Sequence, residues 1–87
     1  MQVSYTKEFL KNYKRRIKTF NKLNQQFLNR IGIFKTDRAS PILKDHQLGG
    51  NKSEYRAFSI TGDIRVVYKQ IGNEMRFFDI GTHNQVY

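Results

Sequence analysis

At 87 residues with 38% hydrophobic and 14% aromatic side chains, the chain is expected to form one small domain, 1–87, with enough apolar volume to close a core and exclude disorder. The absence of cysteine excludes a disulfide framework and a thiolate metal site. No apolar run approaches the roughly 18 residues of a spanning helix, and Met1–Ser4 lacks the pattern of a secretion signal, so a cytoplasmic protein without membrane contact is expected. The net charge of +9 is concentrated: residues 1–44 hold eleven Lys or Arg against Glu8 and Asp37, whereas residues 45–87 hold five of each sign. Such a surface draws a polyanion, nucleic acid before an acidic protein.

Gln2 to Thr6 alternates polar and apolar residues, as a short strand does. The period then lengthens. Phe9, Tyr13, Ile17, Phe20, Leu23, Phe27, Ile31 and Phe34 recur at steps of three or four, the stripe of an amphipathic helix. Thr19-Phe20-Asn21 is the expected break, with Asn21 capping the second of two helices, about 7–19 and 21–36. Lys7, Lys11, Lys14, Arg15, Lys18 and Lys22 lie off the apolar stripe. They form either a solvated face or one that positions a phosphate backbone or an acidic partner.

Lys35 to Pro41 reads as the end of the helices and a connecting loop, anchored by Ile42 and Leu43 and followed by the polar Lys44-Asp45-His46-Gln47-Leu48-Gly49-Gly50. Strands are predicted near Tyr55–Ile60, Ile64–Ile71 and Met75–Thr82, joined at Thr61-Gly62-Asp63 and Gly72-Asn73. A two-residue turn at Gly72-Asn73 makes Ile71 oppose Glu74. Carried along the hairpin, that register puts Asp63 beside Thr82 and next to His83, within a residue or two. One end of the sheet then gathers Ser59, Asp63, Arg65, Thr82 and His83, with Tyr87 close behind.

Only two histidines occur, both in polar surroundings: Lys-Asp-His46-Gln and Gly-Thr-His83-Asn. Imidazole exchanges protons near neutral pH, and RNA cleavage needs one group to take the 2′-hydroxyl proton and another to protonate the leaving 5′-oxygen. Cations beside the phosphate offset its developing charge. Each histidine alone reads equally as a surface or capping residue. His46, Asp63, Asp79 and His83 lack metal-motif spacing, so neither metal nor cofactor is expected.

Taken in order, Asp45-His46-Gln47-Leu48-x-Gly50, Tyr55-Arg56, Asp63, Gly81-Thr82-His83 and a terminal aromatic, Tyr87, resemble the YafQ branch of the RelE/ParE toxin superfamily. The likeness is close over 44–87 and holds in outline before that. It implies an α+β, RelE-like fold: a short N-terminal strand, a two-helix hairpin, then a curved antiparallel sheet. It also implies an endoribonuclease that cuts messenger RNA in the ribosomal A site. A cognate antitoxin would neutralise it, and operator DNA would be met only through that complex. By correspondence the resemblance makes His46, Asp63 and His83 catalytic, with Tyr87 stacking on or orienting a base. Lys44, Arg56 and Arg65 are further RNA-binding candidates, with Lys69 in reserve, because other superfamily members cleave with Lys, Arg and Tyr.

Two positions depart from the branch pattern: Ser59 stands where it has a histidine, and Ile64 where it has a tryptophan. A serine hydroxyl hydrogen-bonds but does not shuttle protons near pH 7. Two other readings keep the composition without the chemistry. One is a ParE-like inhibitor that binds DNA gyrase; the other is a non-catalytic basic RNA- or ribosome-binding module.

Overall fold

The chain begins with strand β1 (Gln2–Tyr5), which runs directly into helix α1 (Lys7–Tyr13). The Thr6 side chain caps that helix by accepting from the Phe9 amide at 3.1 Å. These and the remaining elements come from a computed structural model that describes residues 1–87. Helix α2 (Asn21–Thr36), strands β2 (His46–Gln47), β3 (Arg56–Ser59), β4 (Ile64–Ile71) and β5 (Glu74–Thr82), and a terminal turn of helix, α3 (His83–Val86), complete the order. No helix is long and apolar enough to cross a membrane.

The helical half divides where expected, for a different reason. Phe20 adopts extended backbone (φ −106°, ψ 99°) and ends the first helical run, but no side chain caps α2. Asn21 is therefore the first helical residue and not the cap. Lys14–Lys18 winds as a π-helix. Phe9, Tyr13 and Ile17 are spaced by four, which overshoots the 3.6-residue turn, and the wider i→i+5 turn absorbs the drift. Ile17 thereby reaches full burial.

The sheet order is β1-β5-β4-β3-β2. β2 to β5 pair antiparallel, as expected, but β1 lies parallel to β5, with Val3 beside Met75 and Tyr5 beside Phe77. The sheet is thus mixed at this edge. Both helices cover one face, where Phe9, Phe34, Phe58, Tyr68 and Phe77 are buried in mutual contact. Phe34 stacks on Phe58 at 4.5 Å and meets Tyr68 edge-on at 5.0 Å; such pairs add about 0.5–1.5 kcal/mol each beyond area burial. Leu43 anchors the connecting loop by full burial, while Ile42 stays half-exposed.

The β4–β5 hairpin turns at Gly72, whose φ of 63° suits glycine. Ile71 opposes Glu74 as the two-residue turn requires, but the register slips between Tyr68 and Val67, where Phe78 bulges out unpaired. Beyond that bulge Ile64, not Asp63, opposes Thr82. Asp63 stands outside the ladder, in the turn that precedes β4.

Candidate functional site

The sheet face away from α1 and α2 carries the candidate residues. Ala57 and Val67 lie opposite one another on it, and Val86 of α3 covers both, forming a small second core. The next pair on that face is Ser59 opposite Arg65, and Arg65 in turn opposes Gly81. β2 adds His46 opposite Ala57 on the outer side. With neighbouring strands about 4.8 Å apart and residues about 3.4 Å apart along a strand, the Cα atoms of His46 and Arg65 are ~12 Å apart on one surface.

The two imidazoles meet opposite kinds of partner through Nδ1. His46 Nδ1 lies 3.0 Å from the Lys44 carbonyl oxygen. A carbonyl only accepts, so Nδ1 donates, which leaves Nε2 as the ring atom free to accept a proton. His83 Nδ1 lies 3.2 Å from Arg65 Nη1. A guanidinium only donates, so Nδ1 accepts there and Nε2 carries the hydrogen. One ring presents a base and the other a donor.

Around His83 the remaining contacts fix α3. Tyr87 meets the His83 ring edge-on at 4.6 Å, and Arg65 lies 6.0 Å from the Tyr87 ring centre. Burial raises the Tyr87 hydroxyl above its usual range, the Arg65 charge opposing, so this group is a neutral donor at physiological pH. Lys52 ties the helix down by donating to the Val86 carbonyl at 3.2 Å, a contact the sequence did not announce. The Asp63 carboxylate, expected near Thr82 and His83, makes no contact with either: Asp63 is exposed, and its amide donates to Thr61 Oγ1 at 3.1 Å. Arg65 occupies the position expected for it.

Arg56 and Lys44 also separate in role. Arg56 donates to Asp45 at 2.7 Å, and Tyr68 donates to the other oxygen of the same carboxylate. Burial first, and then that carboxylate, push the Tyr68 hydroxyl far above its ordinary value, so it remains protonated. The Asp45 side chain is only 7% exposed, so this three-membered network fixes the residue just before His46. Lys44 is exposed and in the left-handed region (φ 50°). That turn aims its carbonyl back at the His46 ring. Lys69 pairs with Glu54 at 2.9 Å and is occupied there.

The whole chain, residues 1–87, matches the family model described as the bacterial toxin of type II toxin–antitoxin system, YafQ. The chain belongs to the YafQ toxin family. Solved structures agree in fold. YafQ from E. coli is 20% identical with a TM-score of 0.77, covering 99% of this chain and 97% of that one. A copper-bound mutant toxin from Helicobacter pylori is 22% identical with a TM-score of 0.81, covering 100% and 99%. The E. coli DinJ–YafQ complex contains a chain 28% identical with a TM-score of 0.70, covering 99% and 97%. Among curated protein sequences none matches.

In this YafQ-family toxin the two departures from the branch pattern fall on opposite faces. Ile64 packs against the main core on the helix side, away from the histidines. Ser59 is 8% exposed and sits between the His46 and Arg65 rows. The glycine of Gly81-Thr82-His83 has a steric reason. A Cβ there would stand 2.5 Å from Gln85 Oε1 and 2.9 Å from Arg16 Nη1, and those atoms cap α3 at the Thr82 amide and hold the Ile80 carbonyl. Gly81→Ala is expected to cost about 1–2 kcal/mol in chemical denaturation. It should also reduce activity by shifting His83 and Tyr87 together.

Proposed function

We propose that this toxin is an endoribonuclease that cleaves messenger RNA, in association with the ribosome, by attack of a 2′-hydroxyl on the adjacent phosphorus. The observation that carries the reading is the complementary pair of contacts on one side of the sheet: His46 Nδ1 against a backbone carbonyl and His83 Nδ1 against a guanidinium. His46 Nε2 takes the 2′-hydroxyl proton as the O2′–P bond forms. His83, once a solvent proton on Nδ1 has made the ring cationic, gives its Nε2 proton to the 5′-oxygen as the P–O5′ bond breaks and is left neutral, while the adjacent Arg65 charge offsets the negative charge developing on the phosphate. The products are a 2′,3′-cyclic phosphate and a 5′-hydroxyl, and both rings recover their starting states by exchange with solvent.

Tyr87 supplies an aromatic edge and a neutral hydroxyl beside His83 for a base to stack on or bond to. Asp63 has no protein partner for its carboxylate, so its role is toward the RNA itself. Arg56 acts through Asp45 by positioning His46. The exposed Lys7, Lys11, Lys14, Arg15, Lys18 and Lys22 are suited to ribosomal RNA or an acidic segment of a cognate antitoxin. The DinJ–YafQ complex is the precedent for such a partner, and operator DNA is reached only through it.

The test is to incubate the purified protein with ribosomes programmed with a defined message and, in parallel, with gyrase and relaxed plasmid. Discrete message cleavage with unchanged supercoiling supports the reading. Lost supercoiling with an intact message establishes a gyrase inhibitor instead. Ribosome binding with neither effect establishes a non-catalytic basic module.

A further inference from the structure

Past the end of β2, the outer edge of β3 is unpaired, and a cleft of about 250 Å³ opens there, lined by Arg30, Ile42, Lys44, Ser59, Thr61 and Gly62. Arg30 reaches it from α2, donating to the Ile42 carbonyl at 3.0 Å and the Ser59 carbonyl at 3.3 Å. Those two bonds fix the guanidinium without neutralising it. The chain's ion pairs are Arg16–Asp79, Arg56–Asp45, Lys69–Glu54 and Arg76–Glu74, so Arg30 and Lys44 both keep their charge free of any carboxylate.

Two hydroxyls complete the lining. Thr61 Oγ1 accepts from the amides of Asp63 and Ile64 at 3.1 and 3.0 Å, which leaves its own hydrogen to donate. Ser59 is more than nine-tenths buried, yet its hydroxyl takes no partner in the protein. No buried side-chain oxygen is left unsatisfied in the chain, so this one is open to the cleft. Two free cations, two available hydroxyl donors, no acid and a single apolar wall suit a compact oxyanion better than a base. The neighbouring cleft, about 350 Å³ between Arg38, Lys44 and Arg56, is less suited because the Asp45 carboxylate lines it.

We infer that the Arg30–Lys44–Ser59–Thr61 cleft binds one backbone phosphate of the RNA strand running between His46 and His83. The inference rests on the ribonuclease reading for the source of the phosphate. Its place follows from both sides: the Lys44 carbonyl holds the His46 ring, and Ser59 lies across the ladder from Arg65, which holds His83. Serine at position 59 thus has a use. It leaves space and a donor for the anion between two cations, where a larger imidazole would fill the cleft.

The test uses two probes on the intact protein. Inorganic phosphate is titrated while the amide resonances are followed, and a single-stranded 2′-deoxy oligonucleotide, which cannot undergo the reaction, is bound at several salt concentrations. Phosphate should move the amides of Ser59 to Gly62. Lys44→Gln should lower the salt slope of oligonucleotide binding by ~0.7, the value of one phosphate contact on a single strand. Ser59→Ala should weaken phosphate binding severalfold without altering the thermal midpoint, which separates loss of a ligand from loss of fold. Phosphate shifts confined to other surfaces, or an unchanged slope in Lys44→Gln, would overturn the site even if the protein cleaves RNA. Phosphate binding at these amides in a protein that cleaves no RNA would uphold the site and sink the ribonuclease reading alone.

Discussion

His83→Ala is expected to lower single-turnover RNA cleavage by about 10²–10⁴-fold, the range for removing one acid or base from a transition state, with little change in stability. His83 is exposed and its contacts are Arg65 and Tyr87, so no core contact is lost with it. His46→Ala should fall by a similar factor for the opposite reason, since it removes the acceptor. The two losses are expected to be less than additive, because each group acts in one concerted displacement. Arg65→Gln separates orientation from charge. It retains a donor toward His83 Nδ1 but no longer offsets the charge, and should lie between wild type and His83→Ala. Full activity in either histidine variant, measured at matched concentration, would remove that ring from the mechanism.

Asp45→Ala is expected to destabilise the protein by about 2–3 kcal/mol. The variant leaves the Tyr68 hydroxyl buried with no acceptor and the Arg56 guanidinium without its anion. The figure lies below the roughly 3–5 kcal/mol of a fully buried pair because Arg56 is 34% exposed and recovers water. In a chain this short that is roughly a 10–20 °C fall in Tm. Asp45→Ala combined with Tyr68→Phe should cost less than the two single changes added together, since the double variant strands one polar group fewer. Additive costs would show that the network is not a unit.

The same network carries a pH dependence. The folded state holds the Tyr68 proton more tightly than the unfolded chain, first through burial and then through Asp45. Its contribution is complete below about pH 10, the unfolded value, and is lost as pH rises beyond it. Denaturation across the alkaline range should therefore show a smaller decline for Tyr68→Phe than for wild type. A residual decline remains, because Tyr5 and Tyr87 are also raised by burial.

The fold was legible where periodicity and turn chemistry act locally. The four-residue spacing of Phe9, Tyr13 and Ile17, the break at Phe20 and the Gly72-Asn73 turn all led to the observed elements. What periodicity does not encode is a bulge. The one unpaired residue, Phe78, shifts the ladder by one so that Arg65 opposes Gly81, and Arg65, not Asp63, meets His83. The parallel direction of β1 was hidden too, because a strand's partner lies far along the chain.

For the site, His46, His83 and Tyr87 could be named from motif order and Arg65 from the hairpin register, but the partner each ring meets depends on which backbone carbonyl or guanidinium lies nearby. Arg30 was missed altogether. Its signal is slight: a lone cation beside the apolar positions Phe27 and Ile31, where it borders the core and is carried to the sheet edge. Arg56 was read as an RNA-binding candidate because nothing in the sequence reveals that Asp45 and Tyr68 converge on it.

The ends of the cut RNA report on the chemistry of the displacement. RNA cleaved by the wild-type protein in chelator-treated buffer is analysed for its termini by phosphatase sensitivity and mass. A 2′,3′-cyclic phosphate or its 3′-phosphate hydrolysis product, paired with a 5′-hydroxyl, is the result expected from 2′-hydroxyl attack, and a single 2′-deoxy substitution at the cut site should abolish cleavage there. Fragments ending in a 3′-hydroxyl and a 5′-phosphate, or undiminished cutting at the 2′-deoxy position, would contradict the account.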